Sequence, residues 1–306
     1  MNDDLQTPKN LDAALLSGWP LPVHAADDDK EARGQVLVIG GSRETPGAVL
    51  LAAIAALRAG AGKLTIGCGA SIASQLAAAI PEARVIALAE TENGNIAPCA
   101  AESFDPLAAR VGAVLIGPGM LDEPAACAFT HALLPKFEDK PVILDACAMS
   151  VVRGSQAYQE DAENIGETHL VLTPHAGEMA HLLGEEKHAI RSEAGSAARD
   201  AAKNWNAVVA LKGGTTFIAA PSGIAWRHEG DNPGLATSGS GDVLAGLIAG
   251  LAARGASVEQ ATAWGVWLHA QAGQRLGRRI GAIGYLAREI ADEVPAVLER
   301  FAQGTG

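Results

Sequence analysis

The sequence is short of cysteine and of positive charge, and both shortages narrow what the chain can be. Its four cysteines in 306 residues, Cys68, Cys99, Cys127 and Cys147, stand far apart. No CxxC pair and no Cys/His ligand spacing occurs, so no zinc module or disulfide framework is written in the chain. They read as free thiols in small apolar positions. Lysine and arginine number 23 against 35 acidic residues, a formal net charge of −12. A general nucleic-acid binder needs a Lys/Arg surface for the phosphate backbone, and this balance argues against one. A small anionic ligand needs only a local patch of donors. The longest uncharged run, residues 64–81, is broken by hydroxyl and amide side chains, two glycines and a proline, which makes it a poor membrane span. The opening MNDDLQTPKN lacks the cationic and apolar order of a signal peptide. We expect a soluble, cytoplasmic protein with no membrane partner. The nucleotide-binding P-loop, GxxxxGK before Ser or Thr, is missing as well.

What the chain does have is an ordinary globular balance, with 48% hydrophobic residues, 19% charged residues and 35 glycines. Residues 1–33 carry prolines, a DDD run and no sustained periodicity, and read as a polar N-terminal extension with a short packed element near residues 11–19. From Gln35 onward short β-branched runs alternate with Ala/Leu-rich stretches. Strands are expected at 36–39, 63–66, 84–88, 113–116, 142–144, 170–172, 207–211, 216–219 and 224–227. Helices are expected at 48–59, 71–79, 124–134, 177–183 and 192–204, then three in succession at 242–254, 258–276 and 283–301. Such alternation implies a mostly parallel sheet covered on both faces. With no repeat and no dividing linker, residues 34–306 form one α/β domain. The tryptophans at 205, 226, 264 and 267 read as core or interface anchors.

The strongest chemical signal is the run Asp231-Asn232-Pro233-Gly234-Leu235-Ala236-Thr237-Ser238-Gly239-Ser240-Gly241-Asp242, which opens directly into an apolar helix. Glycine lets the backbone approach an anion, and the first helical N–H groups point outward unpaired with the positive end of the dipole. The small residues Ala245, Gly246, Ala249 and Gly250 would let that helix lie close against a neighbour. Asp242 has two readings: a first-turn carboxylate that serves the dipole, or a general base for a substrate hydroxyl beside bound phosphate. Lys212-Gly213-Gly214-Thr215-Thr216 follows an apolar run and also has two readings: a hairpin turn with a solvated lysine, or a phosphate cradle. Gly40-Gly41-Ser42 and Gly117-Pro118-Gly119 follow strands and describe one rim of a crevice at their carboxyl ends. In Thr173-Pro174-His175-Ala176-Gly177-Glu178, His175 reads as a ligand contact or a satisfied loop histidine. Glu178 reads as a helix cap or as a group orienting a metal-bound water.

These stretches, NPGLATSGSGD, LKGGTT, LTPHAGEM, LIGPGM, VILDA and GGSRETPGA, resemble in kind and order those of the ADP-dependent NAD(P)H-hydrate dehydratases of the ribokinase-like superfamily. The resemblance runs from about Gln35 to the C-terminal helices. It implies a ribokinase-like three-layer αβα sandwich with a mostly parallel central sheet. The reaction implied is repair of NADHX or NADPHX: ADP phosphorylates the hydroxyl of the hydrated nicotinamide ring, and loss of phosphate restores NADH or NADPH, leaving AMP. Mg2+ is the expected cofactor. By matching motif positions, Ala48, Gly119, His175 and Asp242 would contact the hydrated dinucleotide, with Asp242 the catalytic base. Lys212, Gly213, Gly214, Thr215, Thr216, Gly239, Ser240 and Gly241 would hold the nucleotide, and Asn232 and Glu178 would lie near its phosphates or the metal, whose ligands the sequence leaves open. The chain departs from the family pattern at Ala176, at Met120 and at Cys147, where a second aspartate is usual. The resemblance further implies a homo-oligomer, a tetramer as in relatives, with the exposed apolar helix at 258–276 able to support it. Epimerase activity is expected on a separate chain. The alternative is a ribokinase-like kinase of the hydroxyethylthiazole or hydroxymethylpyrimidine type, which would share Asp242 and the anion loop but leave a stable phosphorylated product.

Overall fold

A computed structural model describes residues 7–23, 29–153 and 169–302. Its strands are β1 (Lys9–Asn10), β2 (Gln35–Ile39), β3 (Lys63–Gly69), β4 (Ala83–Leu88), β5 (Ala113–Ile116), β6 (Val142–Leu144), β7 (Leu170–Leu172), β8 (Val208–Leu211), β9 (Thr215–Ala219) and β10 (Ala225–Glu229). They form one sheet in the order β1-β10-β9-β8-β7-β6-β5-β2-β3-β4. The β8–β9 and β9–β10 pairs are antiparallel, and the remaining pairs are parallel. All nine strands expected from the sequence are present, within two residues at most ends.

The short apolar runs make strands because each serves two cores. In β2, Val36 and Val38 enter one core while Leu37 and Ile39 enter the other, as the two-residue period of a strand requires. One core lies under α1 (Ala13–Ser17), α2 (Pro46–Arg58), α3 (Ala70–Ala79), α8 (Ser240–Ala253), α9 (Val258–Arg279) and α10 (Ala287–Ala302). The other lies under α4 (Glu123–Leu133), α5 (Ala176–Leu183), α6 (Lys187–Ser192) and α7 (Ala194–Asn204). The result is a three-layer αβα sandwich.

Three features differ from the sequence reading. The helix expected at 192–204 is α7, which starts at Ala194 because Glu193 leaves helical geometry (φ −122, ψ 36); a short helix absent from the sequence reading, α6, precedes it, and Ile190 and Ala198 both enter the same core. Helix α9 does not present an exposed apolar face: Ala261, Trp264, Leu268, Ala272 and Leu276 are buried in the chain's own core. Exposed apolar side chains lie just beyond it, at Ile280, Ile283 and Leu286. Cys99 is exposed, while Cys68 is buried and Cys127 and Cys147 are half-buried.

Residues 9–20 are bound into the domain. β1 pairs with β10, Trp19 stacks on Trp226 with ring centroids 5.5 Å apart, and Gln260 and Trp264 donate to the backbone carbonyl of Trp19. Among the described residues no helix is long and apolar enough to cross a membrane.

The strand order fixes where a ligand belongs. From β2 the chain runs outward through β3 and β4, then returns to β5 on the other side of β2 and runs outward again through β6, β7 and β8. The loops after β2 and β5 therefore diverge at a topological switch point, where open α/β sheets bind ligands.

Candidate active site

The loops at the carboxyl ends of β2, β5, β6, β7 and β8 are knitted together at this edge. Gly41 N donates to the Pro118 carbonyl at 2.7 Å, and Thr45 Oγ1 donates to the Gly119 carbonyl at 2.8 Å. Gly119 has φ +74, and a Cβ there would meet Thr45 O at 2.6 Å and Ala48 Cβ at 3.0 Å. So Ala48 and Gly119 are brought side by side, on the rim the sequence suggested, and the site tolerates only glycine at 119. Gly117 (φ +126) presses its backbone onto the carbonyl of Asp145, 1.8 Å from where a Cβ would stand. Asp145 ends β6, and Ala146 after it is held in the left-handed region (φ 49), a conformation costing a non-glycine residue about 1 kcal/mol.

Asp145, the aspartate of the VILDA stretch to which the sequence reading gave no role, anchors the centre of the site. It is buried, 4% exposed. Its Oδ1 accepts from Thr173 Oγ1 at 2.7 Å and from Lys212 Nζ at 3.3 Å. The signal in the sequence was a lone aspartate closing the apolar strand VIL, an expensive place for an unpaired charge. Lys212 does sit in the turn of the β8–β9 hairpin, yet its side chain is only 19% exposed and also stands 4.0 Å from Glu178 Oε2. Burial works against its charge, but the carboxylates of Asp145 and Glu178 outweigh burial and raise its pKa. The turn is thus a hairpin, as one reading held, with a lysine turned inward.

Asp242 lies in the first turn of α8 beside this cluster. Burial and the charge of Asp145 push its carboxyl up to about 7, against the pull of Lys212 and of its own backbone N–H. Gly241 places its Cα over the lysine: a Cβ there would lie 3.2 Å from Lys212 Nζ. Gly239 caps the helix in the left-handed region (φ 88), where a side chain would also meet Leu51. Ser240 turns inward, its Oγ 2.9 Å from His269 Nε2 on α9. Burial lowers the His269 pKa to about 4, so this neutral imidazole pins the start of α8 and leaves the Ser240 hydroxyl engaged.

His175 and Glu178 form a reciprocal helix cap. His175 Nδ1 accepts from the amides of Gly177 and Glu178 at 3.0 Å, and Glu178 Oε2 accepts from His175 N at 2.7 Å. The cap fixes the tautomer, with the proton on Nε2, which remains free to donate. Asn232 Oδ1 accepts from Gly234 N and from Tyr285 Oη, each at 3.0 Å; it shapes the turn at 232–235 and also lines the cavity beside it.

Two cavities flank the hairpin. One, about 740 Å³, is lined by Gly213, Gly214, Thr216, Asn232, Ser240 and Gly241 together with apolar Leu235, Leu244 and Val266. The other, about 650 Å³, is lined by Thr215, Phe217, Lys187 and Arg191. His175, Lys212, Gly213 and Gly214 border both. Strand alternation explains the division: Thr216 points to the α8–α9 face, and Thr215 and Phe217 to the α5–α7 face. The two threonines that the sequence grouped together therefore face different spaces. Ala48, Gly119, Glu178, Gly239 and Asp242 line neither cavity; Ala48 and Gly119 flank the switch point, joined to Lys212 through Gly117 and Asp145.

An anion cradle, a buried lysine and a carboxyl tuned near neutrality together suit phosphoryl transfer to a hydroxyl. Comparison with known proteins agrees. A family model described as NAD(P)H-hydrate dehydratase matches residues 36–296. An ADP-dependent (S)-NAD(P)H-hydrate dehydratase of Xanthomonas campestris pv. campestris is 46% identical over 299 residues, covering 97% of this chain and 98% of the relative. A bifunctional NAD(P)H-hydrate repair enzyme of Moorella thermoacetica is 38% identical over 94% of this chain, which spans 54% of that relative's length. The crystal structure of an ADP/ATP-dependent NAD(P)H-hydrate dehydratase of Bacillus subtilis, co-crystallised with ATP and Mg2+, superposes with TM-score 0.82 at 27% identity, over 96% of this chain and 99% of that one. The hydroxyethylthiazole or hydroxymethylpyrimidine kinase reading is not favoured by these matches. Sequence, sheet order and site agree that the chain belongs to the NAD(P)H-hydrate dehydratase family of ribokinase-like enzymes.

Proposed function

We propose that this enzyme is an ADP-dependent hydro-lyase that returns NADHX and NADPHX to NADH and NADPH, working in the cytoplasm. The observation that carries the reading is the Asp242 carboxyl, lifted to about 7 beside the Lys212–Asp145 pair at the glycine-rich start of α8. A base of that pKa can take a proton from a hydroxyl near neutral pH and hold it.

The hydrated ring carries a hydroxyl, and hydroxide leaves poorly. Asp242 removes the hydroxyl proton as the oxygen bonds to the β-phosphorus of ADP; the bond from that phosphorus to the bridging oxygen breaks and AMP departs. Phosphate then leaves the ring with its C–O electron pair, a proton is lost from the neighbouring carbon, and the dihydronicotinamide is restored. ADP occupies the 740 Å³ cavity, its base against Leu235, Leu244 and Val266. Its phosphates meet Lys212, the amides of Gly213 and Gly214, Thr216 and Gly241. Preorganised amides and a lysine aimed at the moving phosphoryl group lower the barrier without reorganising. The hydrated ring lies at the switch point, between Ala48, Gly119 and Asp242, and His175 Nε2 donates to the dinucleotide.

The two carboxylates beside the anion cradle, Asp145 and Glu178, fit a magnesium ion. Among the described residues no three His, Cys, Asp or Glu side chains converge as a cage, whereas Mg2+ is usually held by one or two carboxylates with nucleotide phosphates and water. Asp145 and Glu178, both within reach of Lys212, would hold it, and when bound it would neutralise phosphate charge. We further propose a homo-oligomer, a tetramer, assembled through the exposed Ile280, Ile283 and Leu286.

Incubation with NADHX and either ADP or ATP, followed at the NADH absorbance band, tests the reaction. Absorbance should return with ADP, with AMP and phosphate formed in equal amounts. No recovery with either nucleotide, alongside phosphorylation of a thiazole or pyrimidine alcohol, would replace this reading with the kinase one.

A further inference from the structure

The proposed substrate is a dinucleotide, and the switch point and the ADP cavity leave its adenosine half without a place. We infer that the cavity on the α5–α7 face of the β8–β9 hairpin receives that half and that Lys187 and Arg191 read its 2′-phosphate. This rests on the dehydratase reading above.

The geometry supports it in three ways. First, the cavity, about 650 Å³, shares His175 and Lys212 with the reaction centre, so a ligand entering it stays in contact with the residues that handle the other half. Second, Lys187 and Arg191 stand four residues apart on α6, and therefore on one helical face. Both are exposed and neither has an ion pair among the described residues. Lys187 Cε lies 3.9 Å from the Cβ position of Gly177, the residue whose amide His175 caps, which places the lysine against the His175 end of the cavity. In a chain of net charge −12, two unpaired cations facing one cavity select for an anion. Third, beside Thr215 and the small residues of its wall, the cavity presents Ile190, Leu211 and Phe217, which are apolar or aromatic. Phe217 is held by α7, its ring 3.2 Å from the Cβ position of Gly195, and offers a face to a purine. Anion plus purine, next to a dinucleotide site, is the chemistry of a 2′-phosphoadenosine. The hairpin then serves one nucleotide on each face.

Steady-state kinetics at saturating ADP, on wild type, Lys187→Ala, Arg191→Ala, the double variant and Lys187→Arg, test the assignment, together with fluorescence titrations of NADPH and NADH. A 2′-phosphate contact from a charged group predicts that KM for NADPHX and Kd for NADPH rise about tenfold per alanine relative to the values for NADHX and NADH. Lys187→Arg should restore most of the ratio. Equal changes for the two dinucleotides, no change, or a rise in KM for ADP would overturn it. Selective loss of NADPH binding in a protein that repairs neither hydrate would keep the subsite and remove the reaction. Repair of both hydrates with an unmoved ratio would do the reverse.

Discussion

Burial beside the β8–β9 hairpin and the adjacent Asp145 carboxylate put the Asp242 carboxyl at about 7 rather than 3.8, and this has two consequences that pull against each other. Between about pH 4 and 7 the folded chain holds a proton at Asp242 that the unfolded chain releases, so stability falls as pH rises through that window and stays lower above it. The cost at pH 8 is on the order of 4 kcal/mol. Over the same window the base becomes ionised and competent. We expect kcat/KM to fall about tenfold per pH unit below about 7, with nucleotide binding less affected. Asp242→Asn should lower kcat at least about a hundredfold while raising the thermal midpoint at pH 8, and the stability gain should vanish near pH 4. A variant equally active, or no more stable at pH 8 than wild type, would break the link between burial and base strength. Asp242 and Lys212 were legible because glycine-rich loops surround them. Asp145 was not, because its partners Thr173 and Lys212 are 28 and 67 residues away in sequence.

At the scale of elements, α8 delivers the anion-binding amides only because it lies directly on α2. A Cβ on Gly246 would sit 2.1 Å from the carbonyl oxygen of Ala52, and one on Gly250 2.4 Å from that of Ala56. Backbone meets backbone, so nothing can swing aside. Alanine in a helix interior is favoured over glycine by about 1 kcal/mol, whereas overpacking costs about 1–3 kcal/mol and more where the obstacle is main chain. The second effect should win: Gly246→Ala should lower stability by about 2 kcal/mol in chemical denaturation. Gly47→Ala in α2, with nothing within 4 Å of its Cβ position, should be neutral or stabilising. The close contact of these helices was readable from the small-residue pattern in the sequence. Which helix received α8 was not, since Ala52 and Gly246 are joined only by the sheet's right-handed crossovers.

For the whole molecule, the segment after α9 carries three neighbouring exposed apolar side chains. Ile283 is 77% exposed, with Ile280 at 46% and Leu286 at 47%. If these side chains seat a second copy, Ile283→Lys should convert the oligomer to a smaller species in sedimentation equilibrium; a wild-type monomer would remove that proposal. Two things were fixed by local sequence. Alternating β-branched strands and Ala/Leu helices dictated a parallel sheet with two cores, because a strand buried on both faces cannot be amphipathic. Glycines, a lysine and an aspartate at strand and helix ends dictated an anion site, because only such backbone comes close to phosphate. The tertiary structure decided the rest: that Lys212 faces inward to Asp145, that Thr215 and Thr216 serve opposite cavities, that α9 is consumed by the core, and that Trp19 closes on Trp226. Each of these depends on which distant segments the sheet order sets side by side, and a charge, a rotamer or an apolar face has no fixed role until its neighbours across the sheet are in place.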